Sequence, residues 1–473
     1  MSTATATYDG IKPGTAAKHA FFSAVVWLCL GASFGFFTSL RIAWPDLLNG
    51  VDVMGPLTSA FAFGRVRPMH IGLVIFGWIS MAFVAAMYYM TPALCNCRLW
   101  SEKLGLWNIW LWNVGLVVAA VTLLIGANSG REYQEFIWPV DIYILVFVLG
   151  FAAINVFKTV TMRRTQGLYI TIWFFLGSLV MIWMTFFIGA IPDMFPVTGL
   201  NEAYMVWWHA HNVLGLWITP VSAAIAYYVI PKVSGNVLYS HKIGHLHFWT
   251  IAAFYSTPGA HHLMGAPIPE WMKSFASVSG VMILIPALAF ITNMVLTVQG
   301  KWHMFSSNVS LQFALTGTLM AVPLNFQGAF QQTRAINWYI HGTHWMVAHA
   351  HFALLGFSTF IEVGATYYAV AKLFQRKIYS QSLATTHYWL TTIGFIGFWT
   401  TLTLAGLIQA SGKVYNTTFI EVVYATHPYM VGRSLFGLTI VLGQWIFLYN
   451  LYKTATAGEP VTEKNPPASV YYT

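Results

Sequence analysis

The sequence predicts an all-α integral membrane protein, a bundle of twelve transmembrane helices, on three observations. Its 473 residues are 57% hydrophobic and only 8% charged, against about 25% charged in ordinary soluble domains. Mean hydropathy is +0.63. Apolar runs of about 20 residues, the length that crosses a hydrocarbon core of about 30 Å, recur along the whole chain.

The first run begins near Ala20, after the stretch MSTATATYDGIKPGTAAKH, which shows no cleavable secretory signal; this span is expected to direct its own insertion. The others begin near Met69, Leu106, Trp138, Gly167, Tyr204, His245, Met272, Asn308, Ile340, Thr386 and Pro428. Neither an internal repeat nor a soluble domain boundary is expected. Residues 1–473 read as one membrane domain with spans over about 20–453, and residues 454–473 as a flexible or partner-bound tail.

An even number of spans puts both termini on one side, and Lys and Arg choose the side, because short cytoplasmic loops are enriched in them. With the N-terminus inside, 15 of the 23 basic residues fall on cytoplasmic segments and 8 on the other side. Both termini are therefore expected in the cytoplasm of a cell whose inner membrane holds the protein. The formal charge of +9 is then topology rather than a nucleic-acid surface. Cys29, Cys95 and Cys97 suggest no disulfide framework, and without a C-x-x-C-H motif any haem is held by coordination alone.

Intramembrane ionisable residues are functional candidates, and sixteen histidines are many for such a chain. In VAHAHFALLG, His349 and His351 stand one residue apart in an apolar run. At 3.6 residues per turn they point about 200° apart, so one helix can serve two metal centres. His70 opens the second span, His211 lies early in the sixth, and His261 and His262 close the seventh. Under this topology all six lie toward the non-cytoplasmic side. One such histidine alone is more simply a satisfied structural residue; six at one depth argue for convergence. Two facing imidazoles suit a six-coordinate haem, with His70 the natural partner for one of the tenth-span pair. His211, His261 and His262 suit copper or non-haem iron with open positions.

At these residues the chain resembles the catalytic subunit of the haem-copper oxidase superfamily, most closely the C family, the cbb-type cytochrome c oxidases. The stretches that carry this are GRVRPMHIGLVIFGW around His70, SGREYQE around Glu132, WWHAHNVLGLW around His211, FYSTPGAHHL around His261, and the tenth-span H-x-H. The resemblance implies a low-spin haem b between His70 and His351, a high-spin haem b on His349, and copper on His211, His261 and His262. It implies a tyrosine, Tyr255, six residues before the double histidine and cross-linked to the sixth-span copper ligand. Six residues is about 600°, which puts Tyr255 beneath the metal rather than beside it. Glu132 is implied as an acid that helps bind calcium. The implied reaction is reduction of O2 to water with electrons from c-type cytochrome subunits, coupled to proton translocation.

Three features depart from the oxidase pattern: Gln327 in LNFQGAF replaces an acid, INWYIHGTHW is similar to the nitric oxide reductases, and His209 replaces an aromatic residue. The alternative is thus a nitric oxide reductase making N2O at haem and non-haem iron. Those enzymes usually carry a carboxylate four residues after the sixth-span ligand, where this chain has Gly215. A haem-binding transporter or redox relay without catalysis leaves Tyr255 and the histidine trio unexplained.

Glu362 in FIEVGATYY is singled out from this sequence itself. Eleven residues after His351 is about 1100°, which predicts nearly the same helix face about 16 Å nearer the cytoplasm. A helix-stabilising pairing is the plain reading, and a proton-holding group compensating for Gln327 the functional one. Tyr228, Tyr239, Ser240 and His247 are expected to form a proton path toward Tyr255.

Overall fold

The computed structural model describes residues 10–47 and 59–461. Among these residues the regular elements are all helical, and the one β-bridge joins Arg376 to Pro460. In chain order the long helices are α1 Thr15–Ala43, α2 Phe63–Leu94, α3 Glu102–Leu124, α4 Trp138–Thr161, α5 Ile170–Met194 and α6 Leu200–Ser234. A shorter α7, His241–Tyr255, follows. Then come α8 Glu270–Thr297, α9 Val309–Gln331, α10 His344–Phe374, α11 Gln381–Val414 and α12 Phe419–Ala457.

Eleven of these, not the expected twelve, are long and apolar enough to cross a membrane. The exception is α7, whose 15 residues reach only about 22 Å. Pro258 lacks the amide proton an α-helix needs, and the chain continues as a tighter 3-10 turn, Pro258–Leu263. The expected tenth span also breaks: Arg334–Ile340 is a separate short helix, and Thr343 caps α10 by accepting the Trp345 amide. At the far end α12 runs to Ala457, and the Lys377 and Val461 amides donate to Glu459 and Gln375 carbonyls at 2.8 and 3.0 Å. The first residues of the expected tail are thus docked; residues 462–473 lie outside the described residues.

Contrary to the expected absence of repeats, the bundle is built from three equivalent units, α1–α4, α5–α8 and α9–α12. Tyr-Tyr pairs stand at 88–89, 227–228 and 367–368, and thirteen residues after each first tyrosine comes Ser101, Ser240 or Ser380. Each serine hydroxyl caps the helix it precedes by accepting an amide, from Leu104, Ile243 or Leu383. Each serine backbone is clamped by an asparagine of the next helix: Ser101 by Asn155 at 3.0 and 2.9 Å, Ser240 by Asn293 at 3.0 and 2.8 Å, Ser380 by Asn450 at 3.1 and 3.0 Å. One turn on, Thr159, Thr297 and Thr454 accept the amides of Trp100, Tyr239 and Tyr379.

The second tyrosines meet at the middle. Ring centres of Tyr89, Tyr228 and Tyr368 lie 6.3, 6.3 and 6.4 Å apart, a near-equilateral triangle on a pseudo-three-fold axis. Around that axis α2, α6 and α10 form the inner layer; α3 and α8 present apolar side chains such as Trp107, Val121, Phe275 and Val278 outward, as lipid-facing helices do. Each inner helix contains a π-helical stretch at the same place in the repeat, Leu73–Ile79, Val213–Ile218 and Phe352–Thr359. Such wide turns recur at functional sites and reset which face later residues occupy.

Candidate metal centre

The histidines occupy repeated positions. Eighteen residues before the first tyrosine of each pair stand His70, His209 and His349; sixteen before stand Gly72, His211 and His351. Each gap between neighbouring inner helices is therefore flanked by one residue of each class, and the three gaps are filled differently.

Between α2 and α10 the rings of His70 and His351 face each other with centres 6.2 Å apart and planes 16° from parallel. Their Nδ1 atoms lie 2.8 Å from Gly31 O and 2.9 Å from Val347 O. A carbonyl partner makes Nδ1 the protonated nitrogen and leaves Nε2 as the metal-binding one. Two metal–imidazole bonds of about 2 Å, with ring radii of about 1 Å, span about 6 Å, so this pair fits a low-spin haem iron. Gly35 makes room for it, since a Cβ there would sit 2.6 Å from His70 Nδ1. Sequence reasoning missed Arg433, buried at this level. Its guanidinium lies 5.5 Å from the Phe398 ring, which packs on His351, and Nε and Nη1 have no hydrogen-bond partner among the described residues. The sequence signal was a lone arginine well inside the last apolar run. A buried guanidinium needs an anion, and a haem carboxylate at this gap fits it.

Between α10 and α6, His349 faces the trio His211, His261 and His262. The three histidines offer ligand atoms all within 4.8 Å of one another, the only such convergence of three or more His, Cys, Asp or Glu among the described residues. His211 Nε2 is buried without a hydrogen-bond partner among them. His261 and His262 stand on the 3-10 turn after α7 rather than on a spanning helix, and Trp207 stacks on His262 at 4.6 Å. The Tyr255 ring stacks on His211, centres 4.5 Å apart and 23° from parallel, at the end of α7. A Cβ on Gly215 would overlap the Tyr255 ring. On the other side Gln327 Oε1 lies 3.4 Å from His349 Nδ1, and Gly328 leaves space for that imidazole.

Among the described residues the third gap holds no second metal-binding partner. Gly72 stands where a ligand would, and a Cβ there would come within 2.6 Å of Phe136. Phe136, Phe76 and Phe186 fill the space, and Phe186 packs edge-on to His209 at 5.1 Å. His209 therefore has a repeat-derived place, with Nδ1 at 3.0 Å from Thr185 O.

Glu132 is held by Arg67, whose Nη2 reaches its two oxygens at 2.7 and 3.0 Å; an arginine supplies the counter-charge that calcium was expected to give. In the same loop burial, reinforced by the charge of Glu132, pushes the Glu135 carboxyl up to about 8. His341, of the HGT stretch, is lowered by burial and then by Lys413.

Of the expected proton path, Ser240 and His247 fall in one cluster, but Tyr227 rather than Tyr228 meets His247, hydroxyl to Nδ1 at 3.2 Å. Tyr228 turns to the axis, and Tyr239 is exposed. Glu362 does not share the face of His351: it turns toward α6, where Ser222 lies 3.5 Å from Oε1. The π-helical Phe352–Thr359 turns less per residue than an α-helix, so the 1100° count overruns.

Comparison with known proteins agrees with this arrangement. Residues 15–439 match the family model described as cytochrome c and quinol oxidase polypeptide I. The chain belongs to that family. This polypeptide I is 30% identical over 477 residues to the cbb3-type cytochrome c oxidase subunit CcoN1 of Stutzerimonas stutzeri, covering 97% of this chain and 98% of that one. It is 25% identical to a nitric oxide reductase subunit of the same organism, over 88% and 91% of the two chains. A heme-copper terminal oxidase solved as a dimer by cryo-electron microscopy shares the fold, with a TM-score of 0.72 at 15% identity over 92% of this chain and 88% of that one. The family implies haem and copper, which the gaps just described fit.

Proposed function

We propose that this polypeptide I is the catalytic subunit of a cbb-type cytochrome c oxidase, reducing O2 to water with electrons from c-type cytochrome subunits of the same complex and moving protons across the inner membrane. The observation that carries the reading is the Tyr255 ring stacked on His211 in the space left by Gly215. A reductase-type carboxylate at 215 would need the space that ring occupies.

His70 and His351 would hold a low-spin haem b, His349 a high-spin haem b, and His211, His261 and His262 copper. Bound there, haem and copper supply electron transfer and oxygen reduction. The chain's own contribution is positional and protonic. Backbone carbonyls fix the His70 and His351 tautomers, Arg433 offers a cation for a haem carboxylate, and the Tyr255 hydroxyl holds a proton beside the trio. Ser240, Asn293, Tyr227 and His247 form the proposed approach to it, His247 and Tyr255 being eight residues, about 12 Å, apart on α7. A calcium ion at Glu132 would have to displace Arg67 from the carboxylate.

Twelve crossings with both termini in the cytoplasm remain the proposed topology. Asn236, just past α6, donates to Thr297 O at the end of α8, while Glu270 at the start of α8 pairs with Arg334 beyond α9. The chain between 236 and 270 therefore returns through the bundle, and α7 takes the place that α3 and α11 take in their units.

Purified complex given a reduced c-type cytochrome should consume O2 and contain one copper per chain. Rapid NO consumption with little O2 uptake, and iron in place of copper, would overturn the proposal in favour of the reductase. Gly215→Ala, which crowds Tyr255, should keep both haem spectra and lower O2 turnover by about 10² or more, the range of a lost proton donor.

A further inference from the structure

Five residues before each first tyrosine the repeat places Phe83, Ser222 and Glu362, so one carboxyl stands beside the pseudo-three-fold axis. The Ser222 and Ser358 hydroxyls are 2.6 Å apart, and Ser358 donates to Glu362 Oε1 at 2.5 Å. Glu362 Oε2 is buried and has no hydrogen-bond partner among the described residues. Helix packing alone explains the first oxygen but leaves the second idle in an apolar interior, where an unmet polar atom is costly.

The surroundings differ above and below. Toward the metal sites the axis is closed by Trp78, Trp217 and Phe357, each ten residues before its tyrosine. The two indoles are tied to neighbouring units, Trp78 to Thr359 at 3.0 Å and Trp217 to Ser80 at 2.9 Å. In the other direction, six residues along both α6 and α10 and so about 9 Å away, lies the triangle of Tyr89, Tyr228 and Tyr368. Lys232 Nζ stands 6.0 Å from the Tyr228 ring beyond it. The helix packed closest behind, α9, contributes no ionisable side chain over Val309–Gln331. The groups that face this carboxyl are thus two serines, the three phenols and, past them, one lysine.

We propose that Glu362 is a proton-holding group on the axis, exchanging its proton through the tyrosine layer with the side of the membrane that carries both termini, separately from the Tyr227–His247 cluster. When an electron from the external donor reduces a haem iron, the carboxylate takes one proton from water on that side. When the external donor couple takes that electron back, the carboxyl would release the proton the same way, since the indole layer closes the opposite end. No bond to substrate forms or breaks. The inference rests on the haem-binding half of the proposed function and is independent of whether O2 or NO is reduced.

The test is reduced-minus-oxidised infrared difference spectroscopy of the intact complex, without O2 or NO, in H2O and D2O. A carbonyl band of a protonated carboxyl should shift in D2O and vanish in Glu362→Gln, with unchanged visible haem spectra. Tyr228→Phe should slow its deuterium exchange about tenfold, because the tyrosine layer loses one of its three exchangeable hydroxyls. Should Glu362→Gln fail to assemble, Ser222→Ala must shift the band without removing it. A redox-linked band that survives Glu362→Gln or ignores Ser222→Ala, or exchange indifferent to Tyr228→Phe, overturns the proposal. A wrong substrate assignment would appear only in turnover and leave these spectra unaltered.

Discussion

The second and third units carry the same framework around their first tyrosines. Tyr227 meets His247 and Tyr367 meets His387, both at 3.2 Å and both twenty residues on. Phe174 and Phe290 flank one imidazole, Phe313 and Phe447 the other. The two units then diverge. Eight residues after His247 comes Tyr255 and then the double histidine; eight residues after His387 comes Phe395, packed on Phe352. A tyrosine–histidine contact inside this bundle is therefore a structural feature of the repeat first. In the proposed function it acquires a chemical use only where the same helix leads on to the histidine trio.

The largest effect expected from this comparison lies at the ligand positions. His211→Ala should lose the second metal and cut O2 turnover by about 10³ or more, because one of three imidazoles is gone. His209→Phe, at the repeat position shared with the proposed haem ligands His70 and His349, should keep full metal and haem content, since aromatic side chains already fill its gap. Metal analysis and visible spectra read both. Loss of copper in His209→Phe, or its retention in His211→Ala, would break the assignment of repeat positions to ligands.

A smaller contrast separates the two framework histidines. His247→Phe should lower steady-state turnover by about 10² if it lies on the proton route, while His387→Phe should lower thermal stability and leave turnover within about twofold. Equal losses of turnover in both variants would make the tyrosine–histidine pairs purely structural, and the proton route would have to be sought elsewhere.

How much of this was legible in the sequence follows from which interactions are local. The apolar runs and the six histidines were readable because helix length and side-chain depth depend on spacing along one segment. Gly215 was noticed as the missing acid, but that it makes room for Tyr255 depends on α7 packing against α6. The π-helical stretches defeated the angular reasoning at Glu362, because a fixed 100° per residue does not survive eight wider residues. The short α7 was hidden because hydropathy does not register a change from α to 3-10 geometry. The repeat escaped because its constant spacing, a Tyr-Tyr pair with a serine thirteen residues on, rests on only three residues per unit, while the asparagines that complete it are unevenly placed: Ser101 and Asn155 are 54 apart, Ser380 and Asn450 are 70 apart.

The smallest predicted effect tests the first unit, where Asn108 replaces the histidine. Tyr88 donates to Asn108 Oδ1 at 3.0 Å, and Asn108 Nδ2 donates to Val148 O at 2.6 Å. Val148 lies in the π-helical turn Ile144–Leu149 of α4, where the widened ladder leaves a carbonyl for a side chain to meet. Asparagine here serves two partners at once. Asn108→His should preserve the phenol's acceptor but lose the Val148 bond, costing about 1 kcal/mol. Asn108→Leu loses both and takes the acceptor from a buried hydroxyl, for about 1 kcal/mol more. Thermal unfolding followed through haem absorbance should rank the native chain first, Asn108→His second and Asn108→Leu last, with O2 turnover unchanged at moderate temperature. A fall in turnover without loss of thermal stability in Asn108→His would mean that the first unit carries protons too, and the contrast between framework and chemistry would no longer follow the units.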